Sequence, residues 1–391
     1  MKKDWEYKTL KEISIIYGNY GLSVSSIPYN GVRYLRITDI TENGELNDDK
    51  VSADISSGKT QEELQEGDIL FARTGATVGK TLIYRKEFGK CLFAGYLIRY
   101  RLNKDIVIPQ FIHHFTHSSG YYKWVSSNQK AAAQPNIGAK IYNELRIPVP
   151  PLSEQKEIVE YLDSSFAKID KLKENAAKNL EEAKALFQSA LKDALEPKEG
   201  WEEKTLKELT TAIGDGLHGT PHYTENGGYY FINGNNLENG KIIIKEDTKQ
   251  VDVTEYNRLK INLEGNTLLL SINGTIGKNA FYNGEKIVLG KSACYLSVTL
   301  ELKKEYLRYF LLSDFFFKYV QKNSRQATIK NLGLKEIRMM PIPIPPLPEQ
   351  QSIVSFLDSL SEKLNTLQQN YSRICDECDA LKQAILRQVF E

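Results

Sequence analysis

Residues 53–60 read Ala-Asp-Ile-Ser-Ser-Gly-Lys-Thr, the spacing of a phosphate-binding loop with alanine in place of its first glycine. Such a loop works by aiming backbone N–H groups at phosphate from a glycine turn that follows a buried strand. This run follows Asn47-Asp48-Asp49-Lys50 instead, so nucleotide chemistry is not expected from it. Gly75 to Thr81 falls one residue short of the same pattern. Cys375 and Cys378 have the spacing of half a zinc site, and no second pair completes it. His113, His114 and His117 bring imidazoles to one helix face without a carboxylate at helical spacing, which metal-assisted hydrolysis would need. Glu301-Leu302-Lys303 has the form of half a nuclease site but lacks the upstream Pro-Asp. No Asn-Pro-Pro-aromatic segment or glycine-rich methyl-donor loop is present to act on a flipped adenine. The expectation is a chain with no catalytic residues, no metal ligands and no cofactor of its own.

What remains is hydrogen-bonding chemistry on glycine turns. Arg73-Thr74-Gly75-Ala76-Thr77 is closed by Lys80, and Ser271-Ile272-Asn273-Gly274-Thr275 is closed by Lys278. Arg, Asn and Thr side chains on a tight turn suit the edges of nucleic-acid bases, with the lysine on phosphate. Asn128-Gln129-Lys130 with Gln134 and Asn136, and Arg325-Gln326 with Lys330 and Asn331, form a second candidate set. The alternative is that the Gly-Lys loops are plain β-turns. Net charge over 391 residues is only +1, yet it is unevenly spread. Residues 1–150 carry 20 basic and 16 acidic groups, net +4, and residues 199–345 carry 19 and 17, net +2. Residues 151–198 are net −2 and residues 346–391 net −3. Positive charge in two blocks is weak but consistent support for phosphate binding.

The elements that must carry these loops occur twice. Residues 5–12 (WEYKTLKE) match 201–208 (WEEKTLKE), Glu42-Asn43-Gly44 matches Glu238-Asn239-Gly240, and 67–80 aligns with 265–278. Pro150-Pro151-Leu152-Ser153-Glu154-Gln155 matches Pro345-Pro346-Leu347-Pro348-Glu349-Gln350. A period near 196 is the size of a domain plus a helix rather than of a solenoid unit. The expected fold class is α+β. A first small α/β domain spans 1–150 and a first long helix 151–198. A second such domain spans 199–345 and a second long helix 346–391.

The prolines before 152 and 347 stop any earlier helix, and Glu154 and Glu349 favour a helix start. Leu360, Leu364, Leu367, Tyr371, Ile374, Cys378, Leu381 and Ile385 alternate spacings of four and three, the pattern of a coiled-coil seam. The matching positions of the first helix are Ser165, Ile169, Leu172, Ala176, Asn179, Ala183, Leu186 and Ala190, smaller side chains that complement the bulky set. A helix over 153–195 is roughly 60 Å long at 1.5 Å per residue. A domain with a radius of gyration of about 15 Å is too small to carry the chain back that far. The helices are therefore expected to pair antiparallel, with pseudo-two-fold domains at opposite ends. A duplex is itself two-fold symmetric, so such a chain suits two half-sites a fixed distance apart. Unlike loops imply unlike halves.

Two domains that begin Trp-Glu-X-Lys-Thr-Leu-Lys-Glu, each followed by Pro-Pro-Leu-X-Glu-Gln opening a long helix, resemble the specificity subunit of type I restriction–modification systems. The resemblance covers the whole chain. It implies that the two domains are target-recognition domains, one per half-site, and that the two helices are spacers. It implies double-stranded DNA as ligand, with two modification subunits as partners and, in some systems, restriction subunits. It implies S-adenosylmethionine, ATP and Mg on those partners, where adenine methylation and ATP-dependent cleavage would reside, and docking along the helices. The second domain departs by replacing Gly67-Asp68 with Gly265-Asn266 and Arg73 with Ser271. The competing readings are a stand-alone DNA-binding regulator or inhibitor of the same shape, and an enzyme acting on DNA in its own right. No run of 18 uncharged apolar residues exists, the N-terminus lacks the apolar core of a secretion signal, and four scattered cysteines form no disulfide framework. A cytoplasmic location is expected.

Overall fold

The computed structural model describes residues 5–56, 58, 63–129, 135–324 and 331–391. The chain divides into two compact units, one of residues 1–177 and 371–391, the other of residues 178–370. Each unit holds one copy of the repeated domain and parts of both long helices, Leu152–Leu195 and Leu347–Phe390.

In the first unit a four-stranded antiparallel sheet runs in the order Ser14–Tyr20, Leu97–Leu102, Ile69–Ala72, Thr81–Ile83. Its two middle strands are buried on both faces because successive side chains point to opposite sides. Ile69, Phe71, Ile98 and Tyr100 meet the helices Pro109–Phe115, Ser119–Asn128 and Ala139–Asn143. Leu70, Ala72 and Leu97 face Leu35 and Phe93 on a small parallel pair of strands, Arg33–Leu35 and Cys91–Phe93. The second unit repeats this sheet with Thr210–Asp215, Ala293–Val298, Thr267–Ser271 and Asn279–Phe281. Leu268 and Leu270 join one core there and Leu269 the other. Local signals repeat too: Ser118 caps its helix by accepting from the Tyr121 N–H, and Ser313 from the Phe316 N–H. Asp68 of the Gly-Asp pair is buried on the Arg101 guanidinium at 2.8 and 2.9 Å. Asn266 in the second copy instead donates to the Val298 carbonyl at 2.6 Å.

The Pro-Pro-Leu-X-Glu-Gln repeat is a clamp between domain and helix. Gln155, fully buried, accepts from the Ile108 N–H at 2.8 Å and donates to the carbonyls of Ile106 and Pro150 at 3.0 and 2.8 Å. Gln350 does the same with Lys303, Glu301 and Pro345. Trp5 Nε1 donates to Glu154 at 3.2 Å, and Trp201 Nε1 to Glu349 at 3.0 Å. A third tie differs in chemistry: His114 Nε2 lies 2.8 Å from Asp163, where the second domain has the Tyr309 hydroxyl donating to Asp358 at 2.6 Å.

The helices run antiparallel. In the first unit Lys173 pairs with Asp379 at 2.8 Å and Asp170 with Lys382 at 2.6 Å, so partners descend as numbers rise. In the second unit Leu191 and Leu195 share a core with Ile353, Val354 and Leu357. The seam differs from its expected phase. Ile169 and Cys378 are buried, and Ala176, Ala183, Leu360, Leu364, Tyr371, Ile374 and Ile385 are partly so. Leu172, Leu186, Leu367 and Leu381 are 58, 71, 43 and 48 % exposed, and Asn179 is exposed as well. The inward positions lie one residue later, at Lys173, Leu180 and Phe187 in the first helix and Lys382 in the second. The pattern admits both phases, and the one adopted turns Phe166, Leu180 and Phe187 inward. Lys173 and Lys382 bury their stems and reach carboxylates at the edge. Cys378 takes a seam position, its Sγ 4.0 Å from the Ile169 carbonyl.

His113 and His117 are half-buried. The His113 Nε2 is buried without a hydrogen-bond partner, and burial pushes both imidazoles below their ordinary value of 6.5. A histidine held neutral when folded stabilises the protein above its unfolded pKa, and that contribution fades as pH falls. The second domain has Arg308 and Leu312 at these positions of its repeat. The first unit should therefore lose thermal stability between pH 7.5 and 5.5 more steeply than the second. Thermal denaturation of His113→Asn checks this, since the variant should flatten the dependence, and an unchanged slope would contradict it. Among the described residues no helix is long and apolar enough to cross a membrane, and no group of three His, Cys, Asp or Glu side chains is placed to hold a metal ion.

Candidate nucleic-acid interface

At one end of each four-stranded sheet, four chain segments are laced together by backbone hydrogen bonds. In the first domain the Leu22 N–H donates to Phe93 O, the Gly95 N–H to Leu22 O, the Arg73 N–H to Tyr96 O and the Ile137 N–H to Arg73 O. In the second, Leu217 donates to Leu289, Lys291 to Leu217, Ile272 to Ser292 and Leu332 to Ile272. Thr74 bridges Asn136 in one and Asn273 bridges Asn331 in the other. Gly21 and Gly216 permit the close approach, since a Cβ on either would overlap a backbone carbonyl, of Phe93 and of Leu289 respectively. Gly75 and Gly274 turn their loops at φ of 68° and 70°, left-handed values that favour glycine.

This lacing joins the two candidate sets that the sequence leaves separate. Arg73 and Thr74 lie beside Asn136, and Asn273 beside Asn331. It also corrects the alignment between copies: the shared bonds set Arg73 against Ile272, and Ser271 against Ala72. Ser271 is buried in its strand, with Gly234 packed directly on its side chain, so it presents nothing to a ligand. Ile272 is buried as well. The remaining candidates vary in availability. Thr77 donates to the Thr74 carbonyl within its own turn at 3.1 Å, and Lys80 forms an ion pair with Glu42 at 2.6 Å. Asn128 donates to Trp124 O at 2.8 Å, closing its helix, and Gln129 is the helix's last cap. Thr275 is exposed and Lys278 half-buried. Lys130, Gln134, Arg325, Gln326 and Lys330 lie outside the described residues, as do Ser57, Lys59 and Thr60 of the phosphate-loop look-alike.

Several residues at this end are invisible to motif reading. Tyr20 and Tyr96 are exposed tyrosines beside Arg73, whose guanidinium lies 5.0 Å from the Tyr20 ring centre. His218 Nε2 sits 2.6 Å from Asp215, and Lys291 is exposed next to it in the lacing. The paired glycines Gly21 and Gly216 are a sequence signal that, beside the turn glycines Gly75 and Gly274, marks this corner in both copies. Chemically, each end offers a basic side chain and amide or hydroxyl groups on glycine turns, groups suited to hydrogen-bonded contact with a ligand.

The family described as "Type I restriction modification DNA specificity domain" matches twice, over residues 2–182 and 198–374. The EcoKI specificity subunit of Escherichia coli K12 is 25 % identical over 360 residues, covering 85 % of this chain and 76 % of that protein. The putative MjaX specificity subunit of Methanocaldococcus jannaschii is 25 % identical over 389 residues, covering 92 % and 87 %. In fold, a chain from a structure describing complex assembly and conformational transition of the type I R-M system aligns with a TM-score of 0.77 at 19 % identity, covering 99 % of this chain and 97 % of that one. The HsdS subunit of Thermoanaerobacter tengcongensis aligns with a TM-score of 0.56 at 19 % identity, covering 99 % and 96 %.

Proposed function

The chain belongs to the type I restriction–modification DNA specificity family, and on that premise we propose that it is the DNA-reading subunit of such a system, each domain recognising one half of a bipartite target. The observation that carries this reading is the backbone lacing repeated in both domains with different side chains mounted on it. An identical scaffold positions; unlike side chains specify. Base edges in a major groove present distinct donor and acceptor patterns, and side chains fixed on turns at a sheet end can read them.

The chain works as a non-catalytic component. Its partners are two copies of a modification subunit, to which restriction subunits are added for cleavage. S-adenosylmethionine, ATP and Mg belong to those partners, together with adenine methylation and ATP-dependent cutting. Supporting a two-copy arrangement, the exposed apolar residues of the first long helix recur 195 positions later in the second. Tyr161, Leu172 and Leu186 correspond to Phe356, Leu367 and Leu381, and all six are exposed. Large apolar groups left outside a seam at matching stations mark contact surfaces for matching partners.

The test is selection of duplexes from a random pool by the chain copurified with its partner. Two fixed blocks separated by an unselected stretch are expected, and a single block or none overturns the reading. A modification subunit should copurify from the native cell; its absence favours a stand-alone regulator.

A further inference from the structure

Because the two domains share one backbone scaffold, the stations at which their side chains differ are where unlike half-sites must be told apart. The hydrogen bonds that define the scaffold also define the stations. Tyr20 answers to Asp215, since their strand partners Ile98 and Cys294 are equivalent. Arg73 answers to Ile272, Tyr96 to Ser292, Gly95 to Lys291, and Ser23, following Leu22, to His218, following Leu217. The first domain therefore places its cation at the loop after the third strand of its sheet. The second closes that station with a buried isoleucine and places Lys291 and His218 on the two neighbouring turns instead.

Arg73 is built to point. Its backbone is bonded on both sides, by Tyr96 O and the Ile137 N–H. Its guanidinium rests on Tyr20, and that ring is fixed in turn by the Ala139 N–H, which donates to the hydroxyl at 2.9 Å. Its Nε is buried without a hydrogen-bond partner, and among the described residues no carboxylate pairs with it. With Nε buried, the two terminal Nη groups are the donors left to present, and a guanidinium clamped on one face can aim that fork at the two acceptors on the major-groove edge of guanine. In the second domain the His218 side chain is 70 % exposed and is anchored by Asp215 through Nε2, so its second ring nitrogen is not used in that contact.

We propose that Arg73, on the platform of Tyr20 and beside Tyr96, reads a guanine in the half-site of the first domain, and that His218, anchored by Asp215, is the reading group of the second. This rests on the DNA-reading role proposed above. The experiment maps methylated positions produced by the complex of the full chain with its modification subunits, using duplexes that carry the wild-type motif and every single-base change of it. Arg73→Ala should relax one base pair of one half by about 10- to 100-fold, the span of a bidentate contact, leaving the other half unchanged. His218→Ala should relax the other half only. Arg73→Lys, which keeps charge and stem but loses the planar fork, should relax the same base pair as Arg73→Ala even if the alanine variant folds poorly. Changes in both halves, in neither, or in the same half for Arg73 and His218 would overturn the assignment. Failure of the underlying role looks different: wild-type complex would then show no bipartite motif at all.

Discussion

If two modification subunits dock as proposed, complexes carrying Leu172→Asp with Leu381→Asp should purify with one of them instead of two. Both leucines are exposed, one position ahead of the seam residues Lys173 and Lys382. Lys173 pairs with Asp379 and Lys382 with Asp170, so the two leucines sit at one level of the helix pair in the first unit. The 195-residue repeat gives the second unit Leu367 and Leu186 in the same roles. Covering a leucine contributes about 1.5–3 kcal/mol, and a carboxylate in its place adds a desolvation cost. Two such changes should weaken that docking by at least about 100-fold, since each 1.4 kcal/mol is tenfold. The helix itself should tolerate them, because neither side chain is in the seam. Mass measurement of the purified complex reads the result. Two copies retained, or both lost together, would contradict independent docking on matching surfaces.

The second large effect concerns stability. Gln155→Leu removes one acceptor and two donor bonds from a fully buried position, stranding the Ile108 N–H and the Ile106 and Pro150 carbonyls. Each buried polar group left unpaired costs about 1–3 kcal/mol. A loss of about 3 kcal/mol or more is expected, large against a usual margin of about 5–15 kcal/mol. Gln350→Leu should do the same to the second unit through Lys303, Glu301 and Pro345. Gln351→Leu is the control, since that side chain is exposed and reaches only Ser355. Denaturant titration should show both clamp variants shifted to lower midpoints and the control unmoved. Equal behaviour of all three would mean that the repeated motif does not hold domain to helix.

The duplication, the two long helices and their antiparallel pairing were legible because they rest on long identities and on chain-length geometry. The phase of the seam was not. Leucines stand on both sides of it, and only packing shows that Phe166, Leu180 and Phe187 go inward while lysine stems fill the gaps. At the candidate interface, the turn residues Arg73, Thr74, Asn136, Asn273 and Asn331 stood out by type. Matching Arg73 to Ser271 failed because the second loop is one residue shorter, so linear alignment slips where strand pairing does not. Tyr20, Tyr96 and His218 carried no motif. They became candidates only when the lacing brought strand ends from distant parts of the chain to one corner.

Mapping methylated adenines across the host genome, with the gene intact and deleted, tests the central claim most directly. A motif of two different short blocks at constant separation, absent after deletion, is the predicted result. A single continuous or perfectly palindromic motif, or methylation indifferent to the deletion, would contradict a chain whose two domains read unlike halves of one target.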